Sequence, residues 1–338
     1  MRRLIVKQIG PGASLQDLGR PGHLAHGLTR GGAMDSRALF EGAALLGQPA
    51  NNAAIEFAGI GGIFEAEADT RIALTGASMQ AECDGSTLAW HASHTLAAGQ
   101  LLKIGPAASG IYGYLHVDGG FESDTVLGSR STHSSAGIGR PIGAGDRLEL
   151  GQSRDGRSGY RIKAQSRFAG GAIRIVPSVQ TGSFPNETLN RFLSTRFVKH
   201  RQASRQAARL DFEGAGFSDP QQLSVVSEII VPGDIQVTGD GTPFVLLAEC
   251  QTTGGYPRIG TVIPSDLPII AQAQPGSPLT FELIGISHAA EIERRARKEI
   301  ADLNNKIELL VRDPADIADL LGYQLVSGVT NGTEPEGD

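Results

Sequence analysis

Short runs of alternating apolar and polar residues, separated by glycine-rich turns, dominate this chain. Leu4 to Ile9, Arg71 to Ala77, Tyr112 to Val117 and Arg147 to Leu150 read as strands in the first half. Ala172 to Val176, Leu223 to Val231, Ile235 to Thr238, Phe244 to Glu249 and Leu279 to Ile284 read as strands in the second. Asp118-Gly119-Gly120, Gly145-Asp146 and Asp240-Gly241 carry the residue types of tight turns, where positive φ costs little. Helical spacing is sparse. It predicts short helices from Ser36 to Leu46 and from Asn186 to Arg196. From His288 to Val311 the pattern changes, and Ile292, Ala296, Ile300, Leu303, Ile307 and Leu310 recur every three or four residues. Glu291 and Glu293 suit the first turns of this amphipathic helix, and Asp313-Pro314 stops it. Its narrow apolar stripe fits packing on its own barrel or contact with a partner. The polar stretch from Ser153 to Gln165 reads as a joint between two β units. The expected division is therefore 1–165, 166–286 and a helical tail at 287–338, in a mainly β protein.

Composition supports that class. The 338 residues suffice for two domains, and 45 glycines are nearly twice the usual ~7 %, as turn-rich β folds require. A net charge of -6 argues against non-specific nucleic-acid binding. Cys83 and Cys250 are the only cysteines, which excludes a disulfide framework and suits a reducing cytoplasm. Lys7 and Gln8 interrupt the only N-terminal apolar run, so it reads as a strand rather than a signal peptide. No segment approaches the ~20 apolar residues of a membrane span.

Several chemistries are missing. There is no Gly-Lys pair and so no Walker-type nucleotide loop, no G-x-S-x-G elbow and no C-x-x-C pair. His23/His26 and His91/His94 have i, i+3 spacing but no further ligands nearby, so no metal is expected there.

Four segments concentrate glycine, hydroxyl, amide and charge: Gln16 to Gly22, Gly31 to Asp35, Gly128 to Thr132, and Gln251 to Pro257. In Gly128-Ser129-Arg130-Ser131-Thr132 an arginine between hydroxyls offers a forked cation to an oxyanion. In Gln251-Thr252-Thr253-Gly254-Gly255-Tyr256 the Gly-Gly backbone can form an anion-binding concavity. Each alone is explained as a loop whose polar side chains satisfy their own backbone. All four in one chain point instead to a site for a charged substrate.

These segments resemble the family variously called allophanate hydrolase subunit 2, biotin-dependent carboxyltransferase-like, urea amidolyase-related and the C-type subunit of 5-oxoprolinase. The matches are Gln16 to Arg20, Gly32 to Asp35, Val126 to Thr132, Ile235-Gln236, Gln251 to Pro257, and Ala271-Gln272 with Pro275-Gly276. The resemblance implies two cyclophilin-like β-barrel units. It implies work beside two 5-oxoprolinase partners, a sister cyclophilin-like subunit of the B type and a barrel-type subunit of the A type. The implied reaction is ATP-dependent opening of 5-oxoproline to glutamate, with Mg accompanying ATP. In urea carboxylase the same module moves a carboxyl group from biotin, which here would arrive on a partner. A rival from another class is a regulatory binding protein without catalysis. Under the leading reading Arg20, Arg130 and Arg209 neutralise anionic charge, while Asp17, Asp35 and Glu249 orient them or move protons. Ser129, Ser131, Thr132, Gln236, Gln251, Thr252, Thr253, Gly254, Gly255 and Tyr256 would contact substrate. The chain departs from the family pattern at Gly31 (usually serine), Gly42-Ala43, Ser204 to Ala207, Glu249 (usually aspartate), and a loop at Ala136 to Arg140 that looks shortened.

Overall fold

A computed structural model describes residues 2–153, 156, 158–218 and 226–311. The chain is mainly β. The first half, joined by the C-terminal strand Ile307–Leu309, builds a 12-stranded sheet around two long paired strands, Thr70–Cys83 and Leu101–Val117. The second half closes a barrel of seven strands in the order Gly171–Val176, Arg258–Val262, Asp234–Val237, Pro243–Leu246, Ala207–Asp211, Phe197–Ala203 and Pro278–Leu283. Its first and last strands meet in parallel, from Gly171↔Leu279 to Ile175↔Leu283, and close the ring. Phe192, Phe197 and Phe281 fill the barrel, with ring centroids 4.9 to 5.5 Å apart. The apolar cluster continues into Met34, Leu39, Tyr112 and Tyr114 of the first half, so the two units share a core.

Four helices punctuate the described residues: α1 (Ser36–Leu46), α2 (Asn186–Ser194), α3 (Leu267–Gln272) and α4 (Ile286–Ala301). Helix α1 matches its expected bounds because both ends are written locally. Asp35 caps its N-terminus by accepting from Ala38 N at 3.3 Å, and Gly47 stops it in the left-handed region at φ 63°. The Asp35 carboxylate also accepts from Arg167 Nε (2.7 Å) and, on α3, from Gln272 Nε2 (2.8 Å). Arg167 forks onto Glu41 as well, at 2.8 and 3.1 Å. Buried charge thus joins α1, α3 and the segment between the units.

The C-terminal helix is shorter than its periodicity suggests. It ends at Ala301, and after a short turn Ile307–Leu309 pairs with Tyr160–Ile162 at the edge of the first sheet. Asn304 and Asn305 sit poorly in a helix, and a period near three to four continues into the strand by coincidence. Ile300, Leu303 and Ile307 pack on Phe40 and Ala44 to Leu46 of α1, so much of the stripe is covered by the chain itself. Within the expected strand from Leu223 to Val231, only Glu228–Ile229 is a strand, and 223–225 lie outside the described residues. The Asp313-Pro314 stop lies outside them too.

Candidate functional site

Arg205 is the hub of the junction between the units. It sits in the tight turn between the barrel strands Phe197–Ala203 and Ala207–Asp211 and reaches into the first half. Its guanidinium donates to the Glu56 carboxylate, to Gly32 O and to Glu249 Oε1. Glu56 additionally accepts from Met34 N (2.8 Å) and Tyr114 Oη (2.6 Å), and Glu249 from Ser135 N (3.2 Å). Burial works against the charge on Arg205, but Glu56 and Glu249 outweigh it and hold the guanidinium firmly charged. The carboxylates differ. Burial dominates at Glu56 and raises its pKa despite Arg205. At Glu249 burial is outweighed by Arg205 and the hydrogen bonds, and its pKa falls.

His133 stands next to Glu249. Its Nε2 lies 2.9 Å from Thr29 Oγ1, and its Nδ1 lies 3.9 Å from Glu249 Oε2 with no hydrogen-bond partner among the described residues. Burial lowers the His133 pKa, opposed by Glu249 and reinforced by Arg20 and Arg205, so the imidazole is neutral at pH 7. Gly31, at φ +62°, makes room for it: a Cβ there would lie 2.8 Å from His133 Cδ2. That is a physical reason for glycine at this departure. Arg20 is fully buried; its Nη2 donates to Ser131 O, while Nη1 has no partner among the described residues.

A polar cavity of about 570 Å³ opens over this group, lined by Thr29, His133, Ser135, Gln206, Glu249, and Gln251 to Thr253 among others. Both units contribute, because the loops at 27–29 and 133–136 meet the barrel loops at 206 and 249–253. A smaller pocket of about 190 Å³ adjoins it, sharing Gln206, Cys250 and Gln251, and contains Gln236 and Tyr256. The family-like block at Ser129 to Thr132 lines a separate cavity of about 420 Å³. A further groove of about 820 Å³ has Glu82 and Lys103 as the charged residues of its lining, bonded to each other at 2.7 Å.

The candidate residues therefore divide. Glu249, Gln251, Thr252 and Thr253 share the junction cavity, and Gln236 and Tyr256 the pocket beside it. Asp17 is spent on its neighbours, accepting from Gly19 N (2.8 Å), Ser129 Oγ (2.6 Å), Arg130 N (2.7 Å) and Ser131 Oγ. It ties the first and third segments into one structural unit. The Arg130 side chain pairs with Glu122, and Thr132 Oγ1 donates to Arg140 O at 3.3 Å. Asp35 is the α1 cap. Arg209 pairs with Asp211 at 3.2 Å and lines neither the junction cavity nor the small pocket. Gly254 belongs to a two-stranded ribbon with Glu228–Ile229, and Gly255 is exposed. Sequence reasoning passed over Arg205, His133, Glu56 and Thr29. The readable signals were a lone carboxylate in the apolar strand Ala54–Ala58 and a histidine directly after the Ser-Arg-Ser-Thr block.

Among the described residues no three His, Cys, Asp or Glu are grouped to hold a metal, and no helix is long and apolar enough to cross a membrane.

The carboxyltransferase domain model, subdomains A and B, matches residues 26–283, and the chain belongs to that family. It is 35 % identical to the C-type subunit of 5-oxoprolinase from Haemophilus influenzae over 288 residues, covering 84 % of this chain and 92 % of that protein. It is 31 % identical to the corresponding 5-oxoprolinase protein of Escherichia coli over 306 residues, covering 89 % and 97 %. The crystal structure of Kluyveromyces lactis urea carboxylase superposes with a TM-score of 0.78 over 92 % of this chain. This chain spans only 31 % of that protein at 21 % identity, a likeness of fold alone.

Proposed function

We propose that this chain is one subunit of an ATP-dependent 5-oxoprolinase and supplies the junction cavity to its active site. The observation that carries the reading is His133 lying 3.9 Å from Glu249, with Arg205 bonded to that carboxylate and buried Arg20 nearby, in a cavity built by both units. The two 5-oxoprolinase relatives, aligned over more than nine-tenths of their lengths, support the same reaction.

In that reaction the lactam oxygen takes the γ-phosphate of ATP, water adds at the activated carbon, the C–N bond opens, and phosphate leaves. In this reading the His133 imidazole accepts the proton of the attacking water and returns it to the ring nitrogen. Glu249, held ionised by Arg205, steadies the imidazolium that forms. Thr29 fixes the ring through Nε2. Arg20 and Arg205 supply positive potential for the developing oxyanion. The chain has no nucleotide loop, and the described residues have no metal cluster, so the reading assigns ATP and its Mg chiefly to the partners. Those partners are the sister cyclophilin-like protein and the barrel-type protein of the same complex, in the cytoplasm.

The family's carboxyltransferase name supports a second reading, in which the cavity receives biotin carried on a partner. Purifying the native complex and adding 5-oxoproline separates the two. Equal release of ADP and glutamate supports the proposal. Bicarbonate-dependent, avidin-sensitive ADP release without glutamate replaces it with the carboxyltransferase. No turnover of either kind, with the chain bound to another regulatory partner, removes catalysis altogether.

A further inference from the structure

The stretch of cavity wall that carries Thr252 and Thr253 is weakly built into the fold. Thr253–Gly254 pairs with Glu228–Ile229 in a short ribbon, with Glu228 opposite Gly254 and Ile229 opposite Thr253. The ribbon joins neither the 12-stranded sheet nor the barrel. An isolated pair of strands is marginal in water, and here Glu228 and Ile229 are both exposed. Ile230 follows them, donates from its N to Thr252 O at 3.0 Å, and enters the core beside Leu246 and Cys250. Thr252 and Thr253 line the junction cavity, so their places are no firmer than the ribbon's.

Arg258, the first residue of the barrel strand Arg258–Val262, supplies the anchor. Its side chain is 9 % exposed. Nη1 donates to Ile229 O (2.9 Å) and to Asp234 Oδ2 (3.3 Å), and Nη2 donates to the Glu228 carboxylate. Nε donates to Gln180 Oε1 at 3.3 Å, and Gln180 Nε2 donates in turn to Glu228 at 3.1 Å. Asp234 opens the barrel strand Asp234–Val237 and also accepts from Val231 N at 3.0 Å, just past the ribbon. One planar guanidinium thus ties the outer ribbon strand to two barrel strands, a span that a point-like ammonium does not cover. Among the described residues, every side-chain hydrogen bond reaching Glu228 and Ile229 comes from Arg258 or Gln180. Arg258 itself lines neither the junction cavity nor the small pocket beside it. We infer that Arg258 is a positioning residue: with Glu228 it forms a clasp that holds the ribbon, and through it Thr252 and Thr253, in the cavity wall. The clasp stands on geometry alone; its effect on 5-oxoproline rests on the functional reading above.

The test uses the native complex carrying Glu228→Ala or Arg258→Lys in this chain. The Glu228 side chain is 47 % exposed, so removing it strands no buried carboxylate, and Arg258→Lys keeps a cation beside buried Asp234. Both variants should therefore melt within about 3 °C of the wild type. Hydrogen exchange, followed by mass spectrometry, reads the ribbon directly. The Ile230 amide should exchange roughly tenfold faster or more in both variants, while the barrel strands keep their protection. Steady-state kinetics on the same samples read the positioning. The KM for 5-oxoproline should rise roughly fivefold or more with kcat within about threefold, the pattern of a lost binding contact. Unchanged exchange in both variants overturns the clasp, whatever the activity. Faster exchange with an unchanged KM overturns the positioning role and spares the functional reading. Faster exchange in a complex inert toward 5-oxoproline upholds the clasp and overturns the functional reading instead.

Discussion

Replacing Arg205 by alanine removes the one cation that satisfies both junction carboxylates. In the folded chain its three guanidinium nitrogens donate to Glu249, Glu56 and Gly32 O. Glu56 and Glu249 are 2 % and 1 % exposed, so neither can turn to water when the guanidinium is lost. Breaking a buried pair from one side costs about 3–5 kcal/mol, because the stranded charge must be neutralised or left unpaired. Glu56, already pushed toward protonation by burial, is the carboxyl that takes up the proton. Part of the loss should therefore be recovered in Arg205→Ala/Glu56→Gln, which leaves one stranded carboxylate rather than two. Urea denaturation of the wild type, both single variants and the double variant at pH 7 measures this as a double-mutant cycle. A single-variant loss below about 1 kcal/mol, the range of exposed pairs, would show that Arg205 does not bind the two units as described.

Other outcomes follow from the same physics. Gly42→Ala sets a methyl against the buried His116 ring, whose Nε2 is held 2.7 Å from Thr75 Oγ1. Overpacking at about 3 kcal/mol, less ~1 kcal/mol regained in helix propensity, predicts a net loss near 2 kcal/mol by denaturation; a neutral or stabilised variant contradicts it. Lys199 donates to Ile270 O and Ala271 O at 2.8 Å with no carboxylate, and burial pushes its pKa from 10.5 down to about 7. Above pH 7 the unfolded chain keeps a proton that the folded chain has lost, so stability should rise by about 2 kcal/mol between pH 7 and 9. The window stops there because burial raises the Cys250 thiol to about 12, and that works in the opposite sense above pH 9. Lys199→Met should flatten the rise in the urea midpoint, and an equal rise in the variant would clear Lys199 of it. Arg130→Ala breaks only a part-exposed pair with Glu122 and should cost under about 1 kcal/mol with turnover little changed. A hundredfold loss of rate at constant melting temperature would move the chemistry to the cavity of Ser129 to Thr132.

Where the sequence was legible, the information was local. Asp35, the apolar spacing and Gly47 define α1 without reference to anything distant. Alternation marks most strands, since one face of each is buried. The tail shows the limit of periodicity, because Leu303 and Ile307 keep helical spacing after the helix has ended. At the site, residue types were readable but destinations were not. Asp17 and Ser131 stand 114 positions apart, and only the fold reveals that one consumes the other. The departures at Gly31 and Gly42 have no visible reason in one dimension. In three they are spaces kept for His133 and His116. Arg205 lay inside a segment that departs from the family pattern, which hid its role as the hub.

The most direct test of the account is the rate of 5-oxoproline-dependent ATP hydrolysis by the native complex carrying His133→Gln. Glutamine keeps a polar contact near Thr29 but cannot shuttle a proton. The account predicts wild-type turnover of 5-oxoproline, a roughly 10²–10⁴-fold lower kcat in the variant, and a melting temperature close to wild type. A variant that turns over at the wild-type rate, or a wild-type complex inert toward 5-oxoproline, would contradict it.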